Sequence, residues 1–196
     1  DGFRRIDGQS DPGFGMNQNW LVRDGDRVSL CMDKFGMDRK DRNYGSLALT
    51  CLEPSASAAV AWQDVDDLWA DFVGDGRLDQ AGPKIPSAPG RTYSGALAVR
   101  MTLAAGEKAE VPFLLTWYFP NRYAEYQENL DKYRLGNMYN NWFGSAEGVA
   151  RYAAANFPRL RKETLAFHDT FYDSNLPYWL VDCVSSQIST LTSQTC

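Results

Sequence analysis

The chain has 196 residues, 44% hydrophobic and 23% charged, which is globular composition with room for one large domain or one domain plus part of a second. A net charge of −5 and a pI near 4.9 argue against a nucleic-acid binder, which carries a basic stripe. The densest basic run, Arg159-Leu160-Arg161-Lys162, reads as one solvated helix face, and no apolar run reaches the ~20 residues that span a bilayer.

The start, Asp1-Gly2-Phe3-Arg4-Arg5, has no apolar stretch behind it and does not read as a signal peptide. The first residue is not Met, so an upstream piece is expected. Residues 1–120 then read as β structure. The expected strands are Asn19–Val22, Arg27–Met32, Gly45–Leu52, Ala58–Gln63, Tyr93–Leu103 and Glu110–Phe119. Asp24-Gly25-Asp26 and Ala105-Gly106-Glu107 are hairpin signals between them. Leu97, Val99, Met101 and Leu103 alternate with smaller or polar residues, as on a strand with one buried face. Val111–Phe119 is apolar on both faces, which predicts a central strand covered on both sides.

One helix interrupts the strands. Val65, Leu68, Trp69 and Phe72 recur at helical spacing behind Asp64, an N-cap residue, with Asp66 and Asp67 in the first turn, where the helix dipole favours anions. Gly74-Asp75-Gly76 ends the helix, and the Pro/Gly-rich loop 82–90 returns the chain to the sheet. The aspartates lack the D-x-[DN]-x-[DN]-G spacing of a calcium loop, so they read as capping and solvated groups.

After Pro120 the composition changes. Asn121–Asn141 is polar and tyrosine-rich, with Tyr123, Tyr126, Tyr133 and Tyr139, and reads as a linker packed along a surface. Ser145 caps a helix through Ala155. Asn156-Phe157-Pro158 breaks it, and Arg159–Tyr172 follows with Leu160, Leu165, Phe167, His168 and Phe171 at its less polar positions. Asn175-Leu176-Pro177 opens a last helix, Tyr178–Gln194, about 25 Å long. Its Leu180, Val181, Val184, Ile188 and Leu191 form one apolar stripe, which needs a partner surface. That partner is expected beyond Cys196.

The chemistry-bearing residues form no catalytic device. There is no G-x-S-x-G, P-loop or H-E-x-x-H, and Gly13-Phe14-Gly15 and Gly74-Asp75-Gly76 are turns. The cysteines at 31, 51, 183 and 196 have no C-x-x-C spacing. Cys31 and Cys51 read as buried small hydrophobes, with a disulfide between them left open. His168 is the only histidine and makes no metal site by itself. No catalytic, cofactor-binding or metal-ligating residue is assigned, and no cofactor is expected.

Three blocks carry a resemblance. Gly95-Ala96-Leu97-Ala98-Val99, Ala105-Gly106-Glu107 and Val111 through Pro120 resemble the end of the N-terminal domain of glycoside hydrolase family 116, the family of non-lysosomal glucosylceramidases and bacterial β-glucosidases. Gly136 through Gly144 is similar to that family's aromatic-Gly segment, though Asn-rich where the family is Arg/Tyr-rich. Asn175-Leu176-Pro177-Tyr178-Trp179 through Ser189 resembles the helix that opens the family's catalytic (α/α)6 domain. Ser185-Ser186-Gln187-Ile188 stands where glucosylceramidases carry Asn-Glu-Leu. This departure implies an outlying, bacterial branch and points away from glucosylceramide itself.

The resemblance implies a mainly β fold: an antiparallel β-sandwich (1–120, lacking its first strands), a linker (121–144), and the first helices of a truncated (α/α)6 catalytic domain (145–196). It implies part of a retaining β-glycosidase whose partners are a carbohydrate substrate and the remainder of its own catalytic domain. In the family the nucleophilic glutamate and the acid/base aspartate follow the helix that starts at Pro177, so neither is carried over here. Retention requires the two carboxyls close together. Asn140, Asn141 and Trp142 are the candidates to reach sugar at the rim, by hydroxyl bonding and ring stacking. The competing readings are a stand-alone carbohydrate-binding or assembly module, and a lyase or phosphorylase of the same layout.

Overall fold

The computed structural model describes residues 15–80, 82–123 and 134–188. The chain divides into two compact units, Asp1–Ala154 and Ala155–Cys196. In the first unit, β1 (Asn17–Asp24), β2 (Arg27–Lys34), β3 (Ser46–Cys51) and β6 (Phe113–Tyr118) form an antiparallel sheet in the order β1-β2-β3-β6. β4 (Ser57–Trp62) and β5 (Ser94–Ala98) form a separate antiparallel pair. Helix α1 (Val65–Asp75) follows β4, and α2 (Ala146–Ala155) follows β6. Among the described residues the fold is mixed α/β, 31% helical and 26% strand, not mainly β as expected.

β1 and β2 join through a two-residue loop, with Gly25 at φ 59°. Positive φ is what glycine supplies in a tight hairpin turn. β1 is longer than its apolar pattern because Asn17 and Gln18 pair with Lys34 and Asp33, and the Gln18 amide donates to Asp33 at 2.7 Å. Register fixes what each face presents. Val28 and Leu30 share a face with Cys51, while Cys31 shares the opposite face with Ala48 and Thr116.

The β4–β5 pair covers the first face. Val28, Cys51 and Ala56 are buried there with Leu21, Leu97 and Val99 packed around them. Helix α2 covers the second face, where Ala146 is buried against Cys31 and Ala48. β2 is therefore the strand enclosed on both sides, and Val28, Ser29, Leu30 and Cys31 are all buried. Full burial of a side chain such as Leu30 contributes roughly 1.5–3 kcal/mol.

β6 differs from the expected central strand. It lies at the sheet edge among the described residues, and Phe113, Leu115 and Trp117 are about half exposed. β5 is shorter than its alternating pattern for a simple reason. Its partner β4 begins at Ser57, opposite Ala98, so Met101 and Leu103 extend past any pairing and stay exposed. The 105–107 turn exists, with Gly106 at φ 80° and the Glu107 amide donating to Ala104, but it connects strands of different sheets.

A buried polar cluster joins the two sheets. Asn19 donates to the Val60 carbonyl at 2.8 Å. The Asn17 carboxamide donates to the Tyr93 carbonyl and accepts from the Tyr93 amide and the Ser87 hydroxyl, all at 2.8–2.9 Å. The buried Asn19 and Ser87 and the partly buried Asn17 are thereby all hydrogen-bonded, as low-dielectric burial demands.

Helix α1 begins as its sequence predicts. Asp64 caps it by accepting from the Asp66 amide at 2.9 Å, and Gly76 ends it at φ 75°. Ser145 caps α2 through the Gly148 amide. In the second unit, α3 (Phe157–Tyr172) starts at the Asn156-Phe157-Pro158 break, with Pro158 in its first turn, where its missing N–H costs nothing. α4 (Tyr178–Ser186) follows, with Pro177 at its cap position. Tyr172 links the two, its hydroxyl 3.3 Å from Ser185 and its ring 5.7 Å from that of Tyr178. The α-helix ends at Ser186 with Gln187 as its cap, short of the expected end at Gln194; residues 189–196, with Leu191 and Cys196, lie outside the described residues, as do Tyr126 and Tyr133.

Candidate functional site

The segment after β6 is held by its own polar groups. Asn121 donates to the carbonyls of Arg39 and Asp41 at 2.6 and 2.7 Å, and the Tyr123 hydroxyl donates to Lys40 at 2.6 Å. These bonds clamp the β2–β3 loop. The chain returns at Arg134, bridged to Tyr123, and Leu135 donates to the Arg122 carbonyl. A short 3-10 helix then spans Met138–Asn141.

All three rim candidates sit at this 3-10 turn, and their side chains differ in availability. Asn140 Oδ1 accepts from the Asn137 amide at 2.7 Å, so that side chain is used in building the turn. Its Nδ2 is buried and has no partner among the described residues. Asn141 is exposed, and Trp142 is 65% exposed. The ring and one amide thus face solvent, as a sugar-stacking group would require.

Two neighbours that sequence reading passed over shape this region more than the candidates do. The Tyr139 hydroxyl lies 3.0 Å from both the N–H and the C=O of Phe119, and Asn137 Nδ2 donates to the same carbonyl at 2.8 Å. Phe143 packs edge-on against Tyr152, centroids 5.5 Å apart. Together with Thr116, Trp117 and Val149 they line an apolar cleft of about 210 Å³ beside β6. The signal available in sequence was the two-faced apolarity of β6, which marks a strand needing cover on both sides.

A second cleft, about 190 Å³, lies between the sheet and the start of α2 and includes Trp20, Asp33, Tyr44, Tyr118 and Glu147. Its carboxylates are already engaged. Asp33 accepts from Gln18 and pairs with Lys84 at 3.5 Å, and Glu147 pairs with Arg151 at 2.8 Å. Lys84 Nζ also sits 3.4 Å from the Trp20 ring centroid, a cation–π contact that occupies one ring face.

The two buried thiols are poor nucleophiles, while Cys183 is free and exposed on α4. Burial, reinforced by the Glu147 carboxylate, pushes the Cys31 thiol up to about 12, and burial raises Cys51 as well. Reactivity belongs to the thiolate. Cys31 and Cys51 are free and face opposite sides of the sheet, which answers the open disulfide question. His168 lies on the exposed surface of α3, stacked on Tyr172 at 4.4 Å with Nδ1 3.0 Å from Asp169. Among the described residues, no cluster of three or more His, Cys, Asp or Glu is placed to hold a metal ion. No helix there is long and apolar enough to cross a membrane.

The sequence carries the signature of a glycoside-hydrolase domain. A family model described as beta-glucosidase 2, glycosyl-hydrolase family 116 N-term, matches residues 5–160, and the chain belongs to that family. The match takes in both sheets, the 3-10 turn and α2, so two of the three resembling blocks fall inside it and the Asn175–Ser189 block falls outside. No curated protein matches the chain.

Proposed function

We propose that this chain is the N-terminal part of a retaining β-glycosidase, β-glucosidase-like, that hydrolyses β-linked glycosides. In this reading residues 1–120 are its β-sandwich, 121–144 a linker, and 145–196 the opening helices of an (α/α)6 catalytic domain. The nucleophilic glutamate and the acid/base aspartate follow in the complete polypeptide. These 196 residues are then structural, and Asn141 and Trp142 are the groups they offer toward the sugar. The family match over residues 5–160 carries the reading. The engaged state of Asp33 and Glu147 supports it, since two carboxylates tied to Lys84 and Arg151 are poor candidates for acid/base work.

The test is hydrolysis of 4-nitrophenyl β-glucoside by the 196-residue chain and by the polypeptide extended through the coding sequence that follows. The extended protein turns over with retention of anomeric configuration, and the 196-residue chain is inert. Turnover by the short chain, or inversion by the long one, refutes the proposal.

A further inference from the structure

The hydrogen-bond phase of β6 shows which of its backbone groups are open. The Leu52 amide donates to the Pro112 carbonyl at 3.1 Å, so the 52/112 pair is a bonded one. Bonding alternates along an antiparallel pair. The residues bonded to β3 are therefore 114, 116 and 118, opposite Thr50, Ala48 and Ser46. The N–H and C=O of Phe113, Leu115 and Trp117 point outward, and no partner strand meets them among the described residues. The next outward residue, Phe119, is closed off by Tyr139 and Asn137. Pro112 and Pro120 bracket the strand, and residues 111–121 contain no charge. Protected edges carry a lysine, an internal proline or a bulge, and β6 has none.

We propose that two copies of this chain pair β6 against β6, antiparallel, about a two-fold axis at Leu115. The outward groups are self-complementary in that register. Leu115 faces Leu115 of the partner subunit, and Phe113 and Trp117 face Trp117 and Phe113 of the partner subunit. These bonded pairs exchange six hydrogen bonds, and the aromatic pairs meet directly across the seam. On the other sheet face, Leu114 of the partner subunit comes opposite Thr116, at the mouth of the 210 Å³ cleft lined by Tyr139, Phe143 and Val149.

The lack of charge admits a second copy, and the area sets its affinity. An uncharged seam lets two chains of net charge −5 approach without repulsion at the contact. Phe113 and Trp117 are 46% and 54% exposed, leaving about 100 Å² on each ring. With Leu115 and the symmetry mates, the edge side chains supply about 600 Å² in total, below the ~1,200 Å² of standard stable interfaces. The dimer therefore belongs to the weak, concentration-dependent class.

Sedimentation velocity on the whole chain, up to about 300 µM because small interfaces are weak, tests this. The expected result is a monomer–dimer equilibrium. Leu115→Pro abolishes it while leaving the fold intact, because the N–H it removes points away from β3 and edge strands accept such a proline. Leu115→Lys abolishes it by placing like charges on the axis. A wild-type chain that stays monomeric throughout, or a dimer that survives both substitutions, overturns the proposal.

Discussion

Gly95 on β5 sits directly against Leu30 on β2, and replacing it with alanine measures how tightly the two sheets are set. A Cβ at position 95 would lie 2.4 Å from Leu30 Cδ2 and 3.2 Å from its Cγ. Carbon atoms sit comfortably at ~3.5–4.0 Å. Leu30 has no exposed surface, so it cannot swing outward, and the sheets must part by about an ångström. Overpacking of this kind costs about 1–3 kcal/mol. The methyl also narrows the unfolded ensemble, which returns roughly 0.4–1 kcal/mol. The steric term is larger, and Gly95→Ala is expected to destabilise by about 1–2 kcal/mol in urea denaturation. Leu30→Ala alone should cost about 2–5 kcal/mol. The double variant should lose less than the sum by at least about 1 kcal/mol, because truncating Leu30 makes room for the methyl. A neutral Gly95→Ala, or a cycle additive within about 0.5 kcal/mol, refutes the close-approach argument.

Asn19→Leu keeps the branched shape of the side chain but orphans the Val60 carbonyl and removes the second, longer acceptor of the Asn17 amide; urea denaturation should show a loss of about 1–3 kcal/mol. Asp64→Ala removes the cap of a helix with no buried residue, so about 1 kcal/mol is lost locally, and amide hydrogen exchange in the first turn of α1 should speed up about fivefold with little change in global stability. Cys31 holds its proton in the folded chain up to about pH 12, against an ordinary value of 9.0. Its contribution is complete below pH 9.0 and is lost as pH rises toward 12, because there the unfolded chain releases a proton that the folded chain keeps. From pH 8 to about 10.5 the native chain should lose roughly 2 kcal/mol more than Cys31→Ala, at about 1.4 kcal/mol per pH unit; equal losses would remove Cys31 as the source.

The local rules were legible where one residue decides the outcome. Asp64, Gly76, Ser145 and Pro158 mark helix ends through their own backbone chemistry, and the structure puts caps or first turns at each. Strand positions followed from apolar runs, but strand partners did not. The pattern of residues 93–103 alternates correctly yet stops pairing at Ala98, because β4 begins at Ser57. β6 reads as covered on both faces because its residues suit burial, while its place in the sheet is set by β3 alone. Asn17 and Asn19 gave no core signal, since a buried asparagine is recognisable only by what it bonds. Of the rim candidates, the turn around Asn140 was invisible because it depends on Tyr139 and Asn137 reaching back to Phe119 across 18 to 20 positions of chain.

The same arrangement leaves the layers little to offer a ligand. β2 is closed on one face by β4–β5 and on the other by α2, and the polar groups inside are matched: Ser29 with Thr50 at 2.8 Å, Thr116 with the Ala146 carbonyl at 2.9 Å, Asn19 with Val60. Among the described residues the layers leave one buried donor unpaired, Trp62 Nε1 at the end of β4, and they hold Cys31 and Cys51 protonated. What they do supply is rigidity. The 3-10 turn hangs from Phe119 at the end of β6 by hydrogen bonds of 2.8–3.0 Å, so Asn141 and Trp142 are carried on a fixed strand end although they lie in a loop. Precise presentation needs such support from packed elements. Loosening Tyr139 should therefore disturb both the rim and the β6 edge, since one hydroxyl closes the last outward residue of the strand and anchors the turn that presents the tryptophan.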